Sequence, residues 1–179
     1  MIQTVKLVTF LAIITIAAGC QTMKPIHTVE KVDLERFMGD WYVIASIPTF
    51  IEKDAYNATE SYRLDNDGTV ATTFKFNKGS YDGPVKEYNP RGYVRDTQSN
   101  AVWGMQFVWP FKAEYRIIFL SDDYTQTVIG RTKRDYVWIM ARESSIPVDD
   151  YERILEFIRD QGYDLDKLKQ VPHRAGAIN

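Results

Sequence analysis

The 179-residue chain holds one cysteine and two histidines, and its basic side chains do not outnumber its acidic ones. A single cysteine excludes an internal disulfide framework. His27 and His173 are too few for a zinc site or a histidine-based triad, so no metal and no cofactor is expected. Twenty-two Lys and Arg stand against 24 Asp and Glu, a formal net charge of −2. A nucleic-acid partner needs a basic face to neutralise phosphates, and that class is set aside. Beyond residue 19 no apolar run approaches the roughly 20 residues of a membrane-spanning helix. Nucleophile elbows of the Gly-x-Ser-x-Gly type and Gly-rich phosphate loops are missing too. Asp122-Asp123 lies on a turn, where neighbouring carboxylates face water, so no catalytic residue is assigned and the chain is not expected to be an enzyme. What is abundant is aromatic. Eleven Tyr, nine Phe and four Trp make up 13% of a chain that is 45% hydrophobic. Length and hydrophobic content suit one globular domain.

The segment Leu7 to Gly19 contains no charged residue and is short for a permanent span. It has the length of a signal peptide's apolar region and ends in Ala17-Ala18-Gly19, directly before the lone Cys20. This arrangement resembles a bacterial lipobox, with Ala17 where Leu is more usual. The resemblance implies cleavage before Cys20 and attachment of acyl chains such as palmitate at that residue. Removing residues 1–19 takes away only Lys6 among the charged groups, leaving a net charge of −3. Gln21 in place of Asp favours the outer membrane, lipid-anchored and facing the periplasm. Residues 20–31 then read as lipidated terminus and tether, residues 32–172 as the domain, and residues 173–179 as a tail.

From residue 39 onward, short alternating segments are separated by turn signals. Strands are expected at 41–47, 56–64, 69–77, 87–95, 101–109, 113–120, 125–131 and 136–141. Asp65-Asn66-Asp67-Gly68 is a strong turn, and Pro90 interrupts the fourth strand. Eight consecutive strands joined by short links suggest an all-β fold, an antiparallel up-and-down barrel whose closure removes exposed edges. Val148, Tyr151, Ile154, Leu155 and Ile158 recur at helical spacing before Gly162, predicting one C-terminal α-helix packed on the outside.

Three short motifs carry a family resemblance. Gly39-Asp40-Trp41 resembles the Gly-x-Trp opening of the lipocalins, and Asp122-Asp123-Tyr124 their Thr-Asp-Tyr turn. Arg134 to Arg142 resembles their third motif, which ends in arginine. With the lipobox in front, the chain is most similar to the bacterial lipocalins that are outer-membrane lipoproteins. The resemblance implies that Gly39, Trp41 and Arg142 form a structural motif, with the guanidinium over the indole at the closed end. Alternation then makes Met140, Trp138 and Tyr136 internal with Arg142, and Val43, Ala45 and Ile47 internal with Trp41, barring a bulge.

An eight-stranded barrel is just wide enough to be filled by side chains or to hold one small ligand. Wall candidates are Tyr62, Phe76, Tyr93, Met105 and Phe107, followed by Tyr115, Ile117, Trp138 and Met140. Phe74 belongs with them, though Phe74 and Phe76 would both face the helix if their hairpin ran in the opposite register, and Phe119 is expected deep. Each could equally be core filler. The family resemblance implies fatty acid or lysophospholipid guests, stored or transported rather than altered, and matches Tyr115 and Trp138 to cavity positions. The other reading is a filled barrel serving as an interaction scaffold; a homodimer stays open. Loops after the first, third, fifth and seventh strands share one end. They place Phe50, Ile51, Trp109 and Phe111 beside Lys53, Lys112, Lys133 and Arg134 as an apolar lip with a basic fringe.

Overall fold

The structure, a computed structural model, describes residues 26–174. The expected signal peptide and the Cys20 attachment site lie outside the described residues. A short helix, α1 (Leu34–Phe37), precedes the strands β1 (Gly39–Ile47), β2 (Ala55–Leu64) and β3 (Thr69–Lys78). Next come β4 (Val85–Tyr88), β5 (Arg91–Val94), β6 (Val102–Val108), β7 (Phe111–Leu120), β8 (Gln126–Gly130) and β9 (Val137–Ala141). Helix α2 (Val148–Asp160), a 3-10 turn at Leu165–Lys167 and the two-residue β10 (Lys169–Gln170) complete the order. Each strand pairs antiparallel with its neighbour, and β9 returns to β1, closing the barrel. The eight expected strands are all present, the fourth as two pieces.

Pro90 causes that split. Proline has no N–H to give the ladder, so the strand breaks between Tyr88 and Arg91. Below the break β5 pairs with both β3 and β6; above it β4 pairs only with β3 among the described residues. The break also changes which residues point inward. Gly92 is the inner one, where an added Cβ would crowd Met105 and Val70 at 3.2 Å, and Tyr93 turns to the outer surface. The Tyr93 hydroxyl donates to Gln106 and its ring carries the Lys112 ammonium at 3.3 Å. Tyr93 is therefore not a cavity residue, contrary to the alternation reading.

Bulges make two similar corrections. The β1–β9 register shifts between Val43 and Ala45, so Trp41 and Val43 face inward while Ala45 and Ile47 join the layer beneath α2. The β7–β8 register shifts between Ile117 and Phe119. Ile117 stays inside, but Phe119 is outside and packs on Phe157 of α2 with ring centroids 5.7 Å apart. Phe119 is thus not deep in the barrel. Ile154 and Ile158 are the buried face of α2, each contributing about 1.5–3 kcal/mol of apolar burial. Val148 begins the helix and is exposed, so the periodic face starts one turn later than its spacing suggests.

One end is sealed. Asp33 caps α1 by accepting from the Arg36 N–H, and Phe37 is fully buried among Trp41, Tyr62 and Trp103. The Trp41 indole N–H donates to the Phe37 carbonyl at 2.9 Å. Arg142 lies over the indole at 3.8 Å and donates to the carbonyls of Arg36, Phe37, Met38, Asp40 and Tyr124. One guanidinium thereby satisfies carbonyls left over at the end of a four-residue helix. Gly39 has φ +93°, and a Cβ there would sit 3.3 Å from the guanidinium, so both conformation and space favour glycine.

Flanking segments lie on the barrel instead of hanging free. Ile26 is buried beneath α2, and the Val29 and Val32 N–H groups donate to Ile117 and Ser99. At the far end β10 pairs with β1, and a His173 ring nitrogen is 2.8 Å from the Val43 carbonyl.

Candidate functional site

Above the aromatic plug the barrel encloses a cavity of about 300 Å³, at the lower end of small-molecule sites. Its wall is built by inward positions of strands that run toward the open end. Met105 and Phe107 come from β6, Ala113 and Tyr115 from β7, and Ile129 from β8. Trp138 and Met140 come from β9, and Phe74 from β3. The register anticipated for the β2–β3 hairpin holds, since Val70, Thr72, Phe74 and Phe76 are all buried on one face.

Five of the nine proposed wall residues border this space: Met105, Phe107, Tyr115, Trp138 and Met140. Tyr62, Phe76 and Ile117 are buried in the interior core and do not line the cavity. Tyr62 forms part of the floor beneath it. Its hydroxyl is 2.7 Å from that of Tyr115, and its ring meets Trp103 edge-on at 5.9 Å. Trp103 in turn stacks on Tyr115, centroids 5.2 Å apart. Three rings thus occupy depth that an open barrel would leave to a guest.

Two acidic residues of the wall went unrecognised. Glu52 folds in from the loop after β1, is 7% exposed, and accepts from the Thr49 N–H at 2.9 Å. It also accepts from the Trp138 indole N–H at 3.1 and 3.2 Å. Burial pushes its pKa up, and these donors oppose the rise. Glu60 borders the cavity from β2, is partly buried, and accepts a hydrogen bond from the Tyr62 hydroxyl. Burial, reinforced by the Glu52 charge, pushes its pKa up to about 8. Burial likewise raises the Tyr115 phenol, with Glu60 adding to the effect. A sequence signal for Glu60 existed: on a strand of period two, an inward Tyr62 makes Glu60 inward as well.

The mouth carries the anticipated lip. Phe50, Trp109 and Phe111 are 81%, 81% and 76% exposed, and Val108, next to Trp109 in the chain, is also open to solvent. The basic fringe is less free than its charges suggest. Lys112 sits on the Tyr93 ring, and Arg134 donates to the Gln161 and Thr132 carbonyls. The cation that borders the cavity is Arg131, 3.5 Å from Asp135 and over the Tyr136 ring.

A closed barrel with one plugged end, one apolar cavity and an open aromatic mouth defines a binding architecture for small hydrophobic molecules. The chain belongs to the lipocalin-like family, whose domain model matches residues 32–173. It is 27% identical over 161 residues to temperature-induced lipocalin-1 of Arabidopsis thaliana, covering 83% of each chain. It is 26% identical over 157 residues to the outer membrane lipoprotein Blc of Escherichia coli K12, covering 85% of this chain and 87% of that one. It is similar as well to the outer membrane lipoprotein Blc of Citrobacter freundii, 27% identical over 155 residues and covering 81% of each chain. Among solved structures, insecticyanin of the tobacco hornworm Manduca sexta superposes with a TM-score of 0.66 at 14% identity. That alignment covers 85% of this chain and 86% of insecticyanin, and establishes the shared fold.

Proposed function

We propose that this protein binds fatty acids or lysophospholipids in the barrel cavity and stores or carries them at the bacterial envelope. The observation that carries the reading is the cavity itself, walled by Phe74, Met105, Tyr115, Ile129, Trp138 and Met140 and opening at the lip. The acyl chain lies inside, and an anionic head group stays at the mouth, where Arg131 is the cation within reach. Burial of methylenes supplies most of the affinity, about 0.8 kcal/mol each. The head-group pair at an exposed rim adds about 0–1 kcal/mol.

The protein is anchored through acylated Cys20 in the outer membrane, facing the periplasm. The lipobox resemblance supports this, as does similarity to relatives named outer membrane lipoproteins. A Cys20→Ser form is expected to escape both cleavage and acylation. Mature wild-type protein without acyl chains would refute the anchor.

Ala113 borders the cavity close to the mouth, where a larger side chain intrudes on the guest with little disturbance of the core. Long-chain fatty acid and lysophospholipid are expected to quench tryptophan fluorescence saturably in the parent protein. Ala113→Phe should weaken both by tenfold or more. Equal binding by the two proteins would place the ligand outside the barrel. The absence of any saturable binding would favour the filled-barrel scaffold. Native mass spectrometry of protein taken from its own membrane identifies the guest.

A further inference from the structure

The cavity holds, at its blind end, a carboxyl group for which an alkyl chain has no use. Glu60 stands opposite Trp41 on the β1–β2 ladder, one inward position from Tyr62. Oε2 accepts from the Tyr62 hydroxyl, which also meets the Tyr115 hydroxyl. Oε1 has no hydrogen-bond partner among the described residues, and Glu60 borders the cavity.

The ionisable groups around the cavity do not balance. Arg131 at the mouth is paired with Asp135, and Glu114 is held by Arg116 and Thr132. Among the described residues, Glu52 has hydrogen bonds but no cation, and Glu60 has neither a cation nor a partner for Oε1. The uncompensated groups are both acidic. Beside them stand the rings of Tyr115, Trp138 and Phe74, whose faces attract cations. A partly buried carboxyl with one oxygen open to the cavity becomes stable as an ion when a cation joins it.

We propose that the blind end of the cavity is a subsite for a protonated amine, on a guest with an apolar body and a single ammonium group that donates to Glu60 Oε1. The inference rests on the cavity being the ligand site and adds a class of guest to it. A hydroxyl can also meet Oε1, but it does not hold Glu60 as an ion; an ammonium bonds to Oε1 and balances the charge that Glu60 then takes on. The amine also changes the state of Glu60. With its pKa near 8 the side chain is neutral at pH 7, and the arriving ammonium ionises it, so binding releases a proton to the buffer.

The full chain, as the cell matures it, is titrated with n-octylammonium, 1-octanol and octanoate, followed by tryptophan fluorescence and calorimetry. The ammonium is expected to bind at least tenfold more tightly than the alcohol in the wild type. Glu60→Gln should abolish that preference while keeping alcohol binding. Measured in buffers of different ionisation enthalpy, wild-type binding of the amine should release protons at pH 7 and far fewer at pH 9.5. Glu60→Gln should release none. Equal affinity for amine and alcohol, or a preference that survives Glu60→Gln, overturns the subsite and leaves lipid binding standing. If none of the three probes binds and long-chain fatty acids fail as well, the cavity is not a ligand site and both readings fall.

Discussion

Replacing Glu60 by Gln should make the protein more stable at alkaline pH and leave it almost unchanged in acid. Glu60 has its carboxyl pushed up to about 8 by burial, against an ordinary value of 4.5. Between those two values the native state holds a proton that the unfolded state has lost. Stability therefore falls as pH rises through this window and levels off above pH 8. Each unit of pKa difference corresponds to about 1.36 kcal/mol, so the whole window amounts to an upper bound of about 5 kcal/mol. Gln keeps the shape and an acceptor for Tyr62 but has nothing to titrate. Glu52 is also raised by burial and is present in both proteins, so only its coupling to Glu60 enters their difference. Urea denaturation at pH 5, 6, 7, 8 and 9 measures that difference directly. The gain from Glu60→Gln should be within about 1 kcal/mol of zero at pH 5 and reach about 3–5 kcal/mol by pH 9. A difference that stays flat across the series would refute the reasoning, because it would mean that Glu60 ionises as freely folded as unfolded.

At the closed end, Trp41→Ala should cost about 3–5 kcal/mol and Arg142→Ala about 2–4, the latter because five carbonyl acceptors lose one donor group. A double-mutant cycle should return a coupling of about 1–2 kcal/mol, and strictly additive losses would show that the rings and guanidinium do not interact. Ile158→Ala should cost about 2–4 kcal/mol by opening the layer between α2 and the barrel; a loss below about 1 kcal/mol would mean that the helix is dispensable. Arg131→Gln should weaken octanoate binding only a few-fold at 0.15 M salt and more at low salt, whereas a salt-independent loss would argue against a head group at the mouth.

The strand count, the hairpin turns and the plugged Trp41–Arg142 pair were legible because they rest on local pattern and on motifs that fix each other's faces. Alternation is reliable only while the ladder stays in register. It failed for Tyr93, Ala45, Ile47 and Phe119, each just beyond a place where the register slips or the strand breaks. Of these places only Pro90 announces itself in the sequence. The bulges at Ile44 and Ile118 sit in runs of apolar residues, where either neighbour could go inside and the choice belongs to packing against α2. Helix α1 was invisible for another reason: four residues are too few for a period, and its cap and plug contacts come from Tyr124, Trp103 and Arg142, distant in sequence.

Glu60 is a different kind of miss, and its cause bears on function. The alternation in β2 was read correctly for Tyr62, and the same period places Glu60 on the same face two residues earlier. The search for wall residues passed over it because it looked for rings and alkyl chains, the material of a hydrophobic site. A core-forming strand has no use for an acid at that position. Burying one there opposes folding over the pH range in which the protein must stay folded, and Ala58, the next inward residue, shows that a small apolar side chain fits the same strand. Residues that work against stability while bordering a cavity are where the demands of binding are most visible. Tyr62 and Tyr115 reinforce the point, since their hydroxyls form a chain that ends on Glu60 instead of on backbone or solvent. The aromatic census predicted that rings would build the cavity; the hydroxyls those rings carry into the core make its floor polar. On the proposed reading a guest is selected at both ends, by the lip and Arg131 at the mouth and by a carboxyl at the floor.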